Sequence, residues 1–368
     1  MVTTGSRIHG AGSVKGTMRK PRPESIRRRP TIKTLSQETG FSIATISKAL
    51  NDSPVVTVET KRLIRKAADR IGYQASLRGM SLRTGLTYQI AVLMPVPNAT
   101  DFEWDGVEYT QILGGISEAL EATPYRIAVH IVRDAEDGLE TARRIVSQGL
   151  ADGLIFSGIR ANDARIDYLL AAGFPFVTMG RCQRPLVYPY VDVDSEWAAY
   201  AATERLLAGG HKRIALINPP DEMAYALAKI DGFRAAFAAA AVPCSDDLII
   251  SGDLTARFGK ASALELRARQ NPPTGFVCVN EATTLGVLAG LAELSLIVGR
   301  DASVIAYDDI NVSAYFAPPL TTLYLPIARL GERLGAFLLR RLAGESPSEL
   351  AQMFRPELVI RQTDQLGG

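Results

Sequence analysis

The sequence predicts a small, basic, all-α head followed by a larger α/β part, and three observations predict it. Charge is partitioned: residues 1 to 89 hold 17 Lys and Arg against 5 Asp and Glu, a net +12, while the rest sums to −10 and the 368-residue chain to only +2. Between Pro30 and Tyr73, short helical patterns are punctuated by glycines and capping residues. After Tyr88, short apolar runs alternate with amphipathic helical patterns, the signature of parallel sheets with helical crossovers.

Composition bounds the function. A 47% hydrophobic chain can bury more than one core. No apolar run approaches the ~20 residues of a membrane span, and the basic N-terminus lacks the apolar centre of an export signal, so the expected location is the cytoplasm, at the nucleoid. Cys182, Cys244 and Cys278 are odd in number and form no C-x-x-C pair, which fits a reducing compartment. They read as small buried hydrophobes, with a redox role the poorer alternative. Among nucleophile-elbow, phosphate-loop, zinc-helix and dinucleotide motifs, none occurs in its required setting, and His9, His130 and His211 are the only histidines. No enzyme, cofactor or metal is therefore expected. A basic part joined to an acidic one suggests that the first meets a polyanion; a solvated basic tail is the alternative.

Residues 1–29 are rich in Gly, Ser, Thr, Pro and Arg and are expected to be disordered. The Arg27-Arg28-Arg29 run either adds non-specific phosphate contacts or belongs to an unstructured solubilising tail; a natural start at Met18 rather than Met1 is a further alternative. A first helix fits Ile32 to Thr39, opened by Thr31 and turned by Gly40, whose freedom at positive φ allows a sharp turn. Ser42 caps a second helix to about Leu50, with Ile46, Ala49 and Leu50 facing the first. The turn length matches a helix-turn-helix. The second helix of such a motif enters the major groove by its N-terminal end, which puts Ile43 and Ala44 against thymine methyls and Lys48 at guanine O6 or N7. Thr31, Ser42, Thr45, Ser47, Asn51 and Thr57 are short polar residues suited to phosphates; capping alone is the structural alternative. Thr57 opens a third helix, Val58 to Ile71, with Leu63, Ile64, Ala67 and Ala68 inward and a basic outer face.

The run T-I-K-x-x-x-x-x-x-G-x-S-x-A-T-x-S-x-x-L-N, the V-x-x-E-T-K-R helix, then Gly72-Tyr73 and Ser81-Leu82-Arg83-Thr84-Gly85, resembles the DNA-binding head and hinge of the lactose repressor family, and the resemblance extends from Thr31 to Thr363. It implies a hinge helix over roughly Ser76 to Leu82, ordered on operator DNA, with Leu82 wedged into a minor-groove base step. Two departures stand out: Ala75-Ser76 replaces the family's Pro-Asn, and Gly79 replaces an alanine, at a cost of ~1 kcal/mol to the helix.

Candidate strands follow at Ile90–Met94, Ile127–His130, Gly153–Phe156, Phe176–Met179, Ile214–Ile217, Leu248–Ile250, Phe276–Val279, Val304–Ala306 and Leu358–Ile360. The resemblance implies a periplasmic-binding-protein-like, two-lobe effector domain at 88–368, behind a helix-turn-helix domain at 30–73 and a hinge at 74–87. The first lobe is expected at about 88–191 and 325–348, the second at about 192–324 and 349–363, joined by three crossings.

Ligands of doubly wound sheets sit beyond the carboxyl ends of the strands. Asn280 and Asp308 each follow an apolar run, and the resemblance makes both effector ligands; either could instead cap the next helix. Lys229 stands where the family has a ligand-gripping arginine, keeping the charge but not the planar fork. Arg181, in Met179-Gly180-Arg181, either supplies that fork or pairs with a nearby acid. Pro97 to Tyr109 is longer than the family loop and holds Trp104, which either stacks on a pyranose or packs its own loop.

The expected function is a homodimeric repressor of carbohydrate uptake or catabolism genes, bound to a pseudo-palindromic double-stranded DNA operator and released by a small polar, sugar-like ligand. A purine-type corepressor is the alternative within this class, and a sugar-binding receptor without DNA function the alternative outside it. With no heptad segment after Thr363, a four-chain assembly is not expected.

Overall fold

The computed structural model describes residues 30–74, 76–96, 107–308 and 312–365, with only the backbone of Arg78, Val107 and Asp308. The tail at 1–29 and Trp104 lie outside the described residues. The chain divides after Met80 into two compact units.

The first unit holds α1 (Ile32–Thr39), α2 (Ile43–Leu50) and α3 (Val58–Ile71). Each opens on a hydroxyl: Thr31, Ser42 and Thr57 accept from the backbone N–H of Thr34, Thr45 and Thr60 at 3.3, 3.1 and 3.3 Å. Those bonds satisfy donors that a helix start leaves unpaired. Gly40, at φ 73, ends α1 and donates its N–H to Ser36 O. Leu35, Ile46, Ala49, Val56, Ile64, Ala67 and Ala68 close the core. Leu63, expected inward, is exposed. It sits one residue ahead of the 64/67/68/71 stripe, about 100° round the helix, and so faces solvent. A fourth helix, α4, runs Leu77–Thr84 rather than Ser76 to Leu82, and ends at Gly85 in the left-handed region.

The second unit contains two six-stranded sheets. In the first, β1 (Gln89–Pro95), β2 (Arg126–Val132), β3 (Gly153–Phe156), β4 (Phe176–Met179) and β5 (Tyr190–Val193) lie in the order β5-β4-β3-β1-β2, all parallel. In the second, β6 (Ile214–Asn218), β7 (Ile249–Ser251), β8 (Gly275–Cys278), β9 (Ser303–Asp308) and β10 (Thr321–Tyr324) repeat that pattern. Late in the chain, β11 (Ala351–Phe354) returns to the first sheet beside β5, and β12 (Glu357–Val359) runs antiparallel to β10. Alternate residues of β1 feed opposite cores, Ile90 and Val92 on one face and Ala91 and Leu93 on the other. Eight helices flank the sheets among the described residues: α5 (Val107–Leu120), α6 (Ala135–Gln148), α7 (Ala164–Ala171), α8 (Ser195–Ala208), α9 (Ala224–Ala239), α10 (Ala256–Arg267), α11 (Glu281–Glu293) and α12 (Ile327–Leu342). Where α5 meets α12 the backbones touch. A Cβ on Gly115 would stand 2.0 Å from Ala328 O, and one on Gly331 2.2 Å from Ile112 O.

Both lobe boundaries shift from the expected positions. Asp192 and Val193 still belong to the first sheet, and residues 351–354, expected in the second lobe, pair with β5. The crossings therefore fall after Val193, after β10 and after Phe354, with Asp194 N donating to Phe354 O at 2.8 Å where the first and third run side by side.

Candidate functional site

On the head, α2 turns Ile43, Ala44 and Lys48 to solvent, with Thr45 and Ser47 half-buried. Lys48 makes no ion pair among the described residues. The hydroxyl oxygens of Thr31, Ser42 and Thr57 accept as helix caps, and Asn51 Nδ2 donates to Ser47 O at 2.6 Å, so all four have a structural role of their own. The basic face of α3 is matched by acids: Lys61 and Arg65 each lie 3.0 Å from Asp52, Arg62 lies 2.7 Å from Glu59, and Arg70 lies 2.6 Å from Glu38. The Lys61 ammonium hydrogen-bonded to Asp52 holds that carboxyl below its ordinary range, and Arg62 does the same to Glu59. Exposed pairs of this kind are weak, so a phosphate can replace the acid cheaply. On α4, Leu82 is 91% exposed.

In the second unit, a cavity of about 900 Å³ opens between the carboxyl ends of the two sheets. Each sheet reverses its strand order between its first and third strands, and such switch points are where open α/β sheets leave a crevice. Three of the five expected ligand residues line it: Arg181 follows β4, Lys229 lies on α9, and Asn280 follows β8. Asp308 ends β9, one residue after the lining Tyr307.

Lys229 is buried, with Nζ 4.8 Å from the centre of the Tyr307 ring, a cation over an aromatic face. Arg181 Nε lies 3.1 Å from Asp192 Oδ2, so it does pair with an acid, and that acid also lines the cavity. Burial pushes the Asp192 carboxyl up to about 6 against the opposing pull of the Val193 N–H and Arg181. Asn280 caps α11: its Oδ1 accepts from Thr283 N at 3.0 Å and its Nδ2 donates to Leu254 O at 3.0 Å, which engages both ends of the amide. On the first-lobe wall, the Tyr109 hydroxyl and Ser157 Oγ are 3.0 Å apart, and burial pushes the Tyr109 phenol well above its usual value.

Three arginines that line the cavity are each paired with an acid. Arg160 faces Glu222 at 3.7 Å, Arg181 faces Asp192, and Arg184 faces Asp167 at 2.7 Å. Below them, buried Arg165 holds Asp163 at 2.6 Å. These pairs set donors beside acceptors, an arrangement that suits hydroxyls, and a charged ligand at any of them would have to break the pair. Sequence reasoning missed Asp192, Tyr109 and Ser157. Asp192 had a signal, since it lies in β5, but that four-residue strand went unrecognised. No helix among the described residues is long and apolar enough to cross a membrane, and no cluster there has the donors for a metal ion.

Residues 203–363 match the model of a periplasmic binding protein-like domain. The HTH-type transcriptional regulator AglR of Rhizobium meliloti (strain 1021) is 30% identical over 334 residues, covering 90% of this chain and 93% of that protein. A regulatory protein of the LacI family from Chloroflexus aggregans superposes with a TM-score of 0.68 at 26% identity, over 76% of this chain and 99% of the other. The transcriptional regulator CelR in complex with cellobiose superposes with a TM-score of 0.69 at 25% identity, over 91% of this chain and all of the other (100%). Similarity to AglR across nearly both whole chains, the helix-turn-helix head and the paired sheets carry one conclusion: this chain belongs to the LacI family of DNA-binding, helix-turn-helix transcriptional regulators.

Proposed function

We propose that the protein represses genes of carbohydrate uptake or catabolism, binding a pseudo-palindromic operator as a homodimer and leaving it when a small, neutral, sugar-like effector occupies the cleft. The observation that carries this reading is the set of arginine–acid pairs on the cleft wall, with Arg181, Asp192, Lys229 and Tyr307 as its polar and aromatic contacts. Paired carboxylates and guanidiniums beside tyrosine faces suit hydroxyl groups and pyranose rings. That the similar regulator CelR forms a complex with cellobiose supports a sugar as the effector of this one. Asp308 and Trp104 complete the proposed effector set, with Asn280 acting as a shaping cap.

Residues 30–73 form the DNA-binding domain in this reading and 74–87 the hinge. Ile43, Ala44 and Lys48 read bases; Thr31, Ser42, Thr45, Ser47, Asn51 and Thr57 set the register on phosphates; Leu82 is the apolar wedge. The edge strand β2 leaves Val129 and Ile131 exposed, an apolar edge that a second copy of the chain would cover. Effector and operator are then linked: a ligand that favours the DNA-incompetent lobe arrangement lowers operator affinity, and operator lowers ligand affinity by the same factor. The test is calorimetric titration of the full chain with neutral sugars, cellobiose among them, and with purines, alongside operator binding. Sugar binding that weakens operator binding is expected. Tight purine binding that strengthens it would overturn the reading.

A further inference from the structure

The lips of the cleft touch through backbone. Arg160 in the first lobe and Met223 in the second form an antiparallel bridge. Ala224 N donates to Ile159 O at 2.9 Å, and Ala161 N donates to Glu222 O at 3.3 Å. Each lip is held from behind. In the first lobe, the Arg165 guanidinium, 5% exposed, donates to Ser157 O at 3.2 Å and to Gly158 O at 2.8 Å while pairing with Asp163, which in turn accepts from Arg160 N at 3.1 Å. A buried ion pair is weak evidence for stability, and this one fixes the path of the chain between residues 157 and 163. In the second lobe, Pro219 and Pro220 restrict the approach, and Met223 N donates to Pro220 O at 3.0 Å.

We propose that residues 159–161 and 222–224 form a latch that sets the angle between the lobes, with Ala224 and Ile159 as positioning residues for the cleft. The proposal rests on the two-lobe cleft and not on what the cleft binds. Ala224 is the first residue of α9, so its N–H has no acceptor within the helix, and the carbonyl of Ile159 is its acceptor across the cleft. That position also allows the N–H to be removed by a residue the helix start accepts. Proline is welcome at the first helical position, and Met223, at φ −77 and ψ 130, already has the extended backbone that a following proline demands. Ala224→Pro therefore keeps the start of α9 but removes the interlobe hydrogen bond and sets its Cδ against the Ile159 carbonyl, which forces the contact open, while Ala224→Gly keeps the N–H.

The experiment is amide hydrogen exchange on the full chain, read at Ala224 and Ala161, with small-angle scattering of the same samples. In the unaltered protein both amides are expected to be protected. Ala224→Pro is expected to speed exchange at Ala161 by at least about twofold to tenfold, the equilibrium weight of one net hydrogen bond, and to enlarge the scattering radius; Ala224→Gly is expected to do neither. Exchange of both native amides at free-loop rates would overturn the latch even if the proline variant failed to fold. Unchanged Ala161 protection and scattering in a folded Ala224→Pro would overturn it as well. Neither outcome touches the sugar reading, which titration tests separately.

Discussion

Arg181 Nε sits 3.1 Å from Asp192 Oδ2 and ties the segment after β4 to the end of β5 at the cleft wall. The arginine is more than half exposed and the acid largely buried, so desolvation of Asp192 outweighs the attraction. The carboxyl is therefore raised from 3.8 to about 6.

The sign of the consequence follows from linkage. An acid whose folded value is raised binds its proton more tightly in the folded state than in the unfolded one. Stability then falls as pH rises from about 4 to about 6, and the full penalty applies above that window. Asp192→Asn removes the titration. We expect the variant to match the parent near pH 4 and to gain on the order of 2 kcal/mol relative to it near pH 7. Thermal unfolding across that range is the measurement; a constant difference between the two proteins at every pH would contradict the assignment.

Substitutions at Lys48 and Arg62 test base reading and phosphate binding separately. Lys48 is exposed on the outward face of α2, whereas Arg62 on α3 is already paired with Glu59. Lys48→Ala should relax preference at one operator position by about 1–3 kcal/mol. Arg62→Ala should leave base preference intact and reduce the salt slope by about 1. Titration of base-substituted operators at several salt concentrations distinguishes them, and equal, sequence-independent losses for both would remove Lys48 from the reading set.

At the far end of the chain, Asp364 is fully buried, accepting from Thr321 Oγ1 at 2.7 Å and from Arg205 Nε. Thr363 Oγ1 accepts from Thr321 N at 2.9 Å and donates to Val304 O at 2.7 Å, so the segment after β12 staples β9 to β10. Asp364→Ala leaves the Thr321 O–H without its acceptor, although Arg361 N still donates to that oxygen, and strands one face of Arg205. A loss of about 2–3 kcal/mol in urea unfolding is expected, with operator affinity of the folded protein nearly unchanged.

These buried ends were among the least legible parts of the sequence, for a physical reason. The helices of the head could be placed to the residue because Thr31, Ser42, Gly40 and Thr57 mark their ends by local hydrogen bonding and backbone geometry. Long buried strands such as β1 were equally readable. By contrast β5, β10 and β11 have four residues each and carry polar side chains, and their status depends on partners as distant as the pairing of Tyr190 with Ala351. The same holds in the cleft. Arg181 and Lys229 stand out as charges at motif positions, whereas Asp192 and the Arg160–Met223 bridge acquire meaning only when separate loops meet.

The last prediction concerns α4. Gly79 lies mid-helix, and a Cβ there would meet only Ser76 Cβ, at 3.8 Å, an ordinary contact. Alanine therefore fits, and it favours a helix by about 1 kcal/mol per copy over glycine. If α4 folds only on the operator, both copies in a dimer contribute that gain to binding, about 2 kcal/mol in all or roughly 30-fold in affinity. If α4 is already folded in the free protein, Gly79→Ala raises stability and leaves affinity alone. Operator titration together with circular dichroism of the free protein separates these outcomes. We expect the affinity to rise, because Leu82 on this helix is exposed and an operator would bury it.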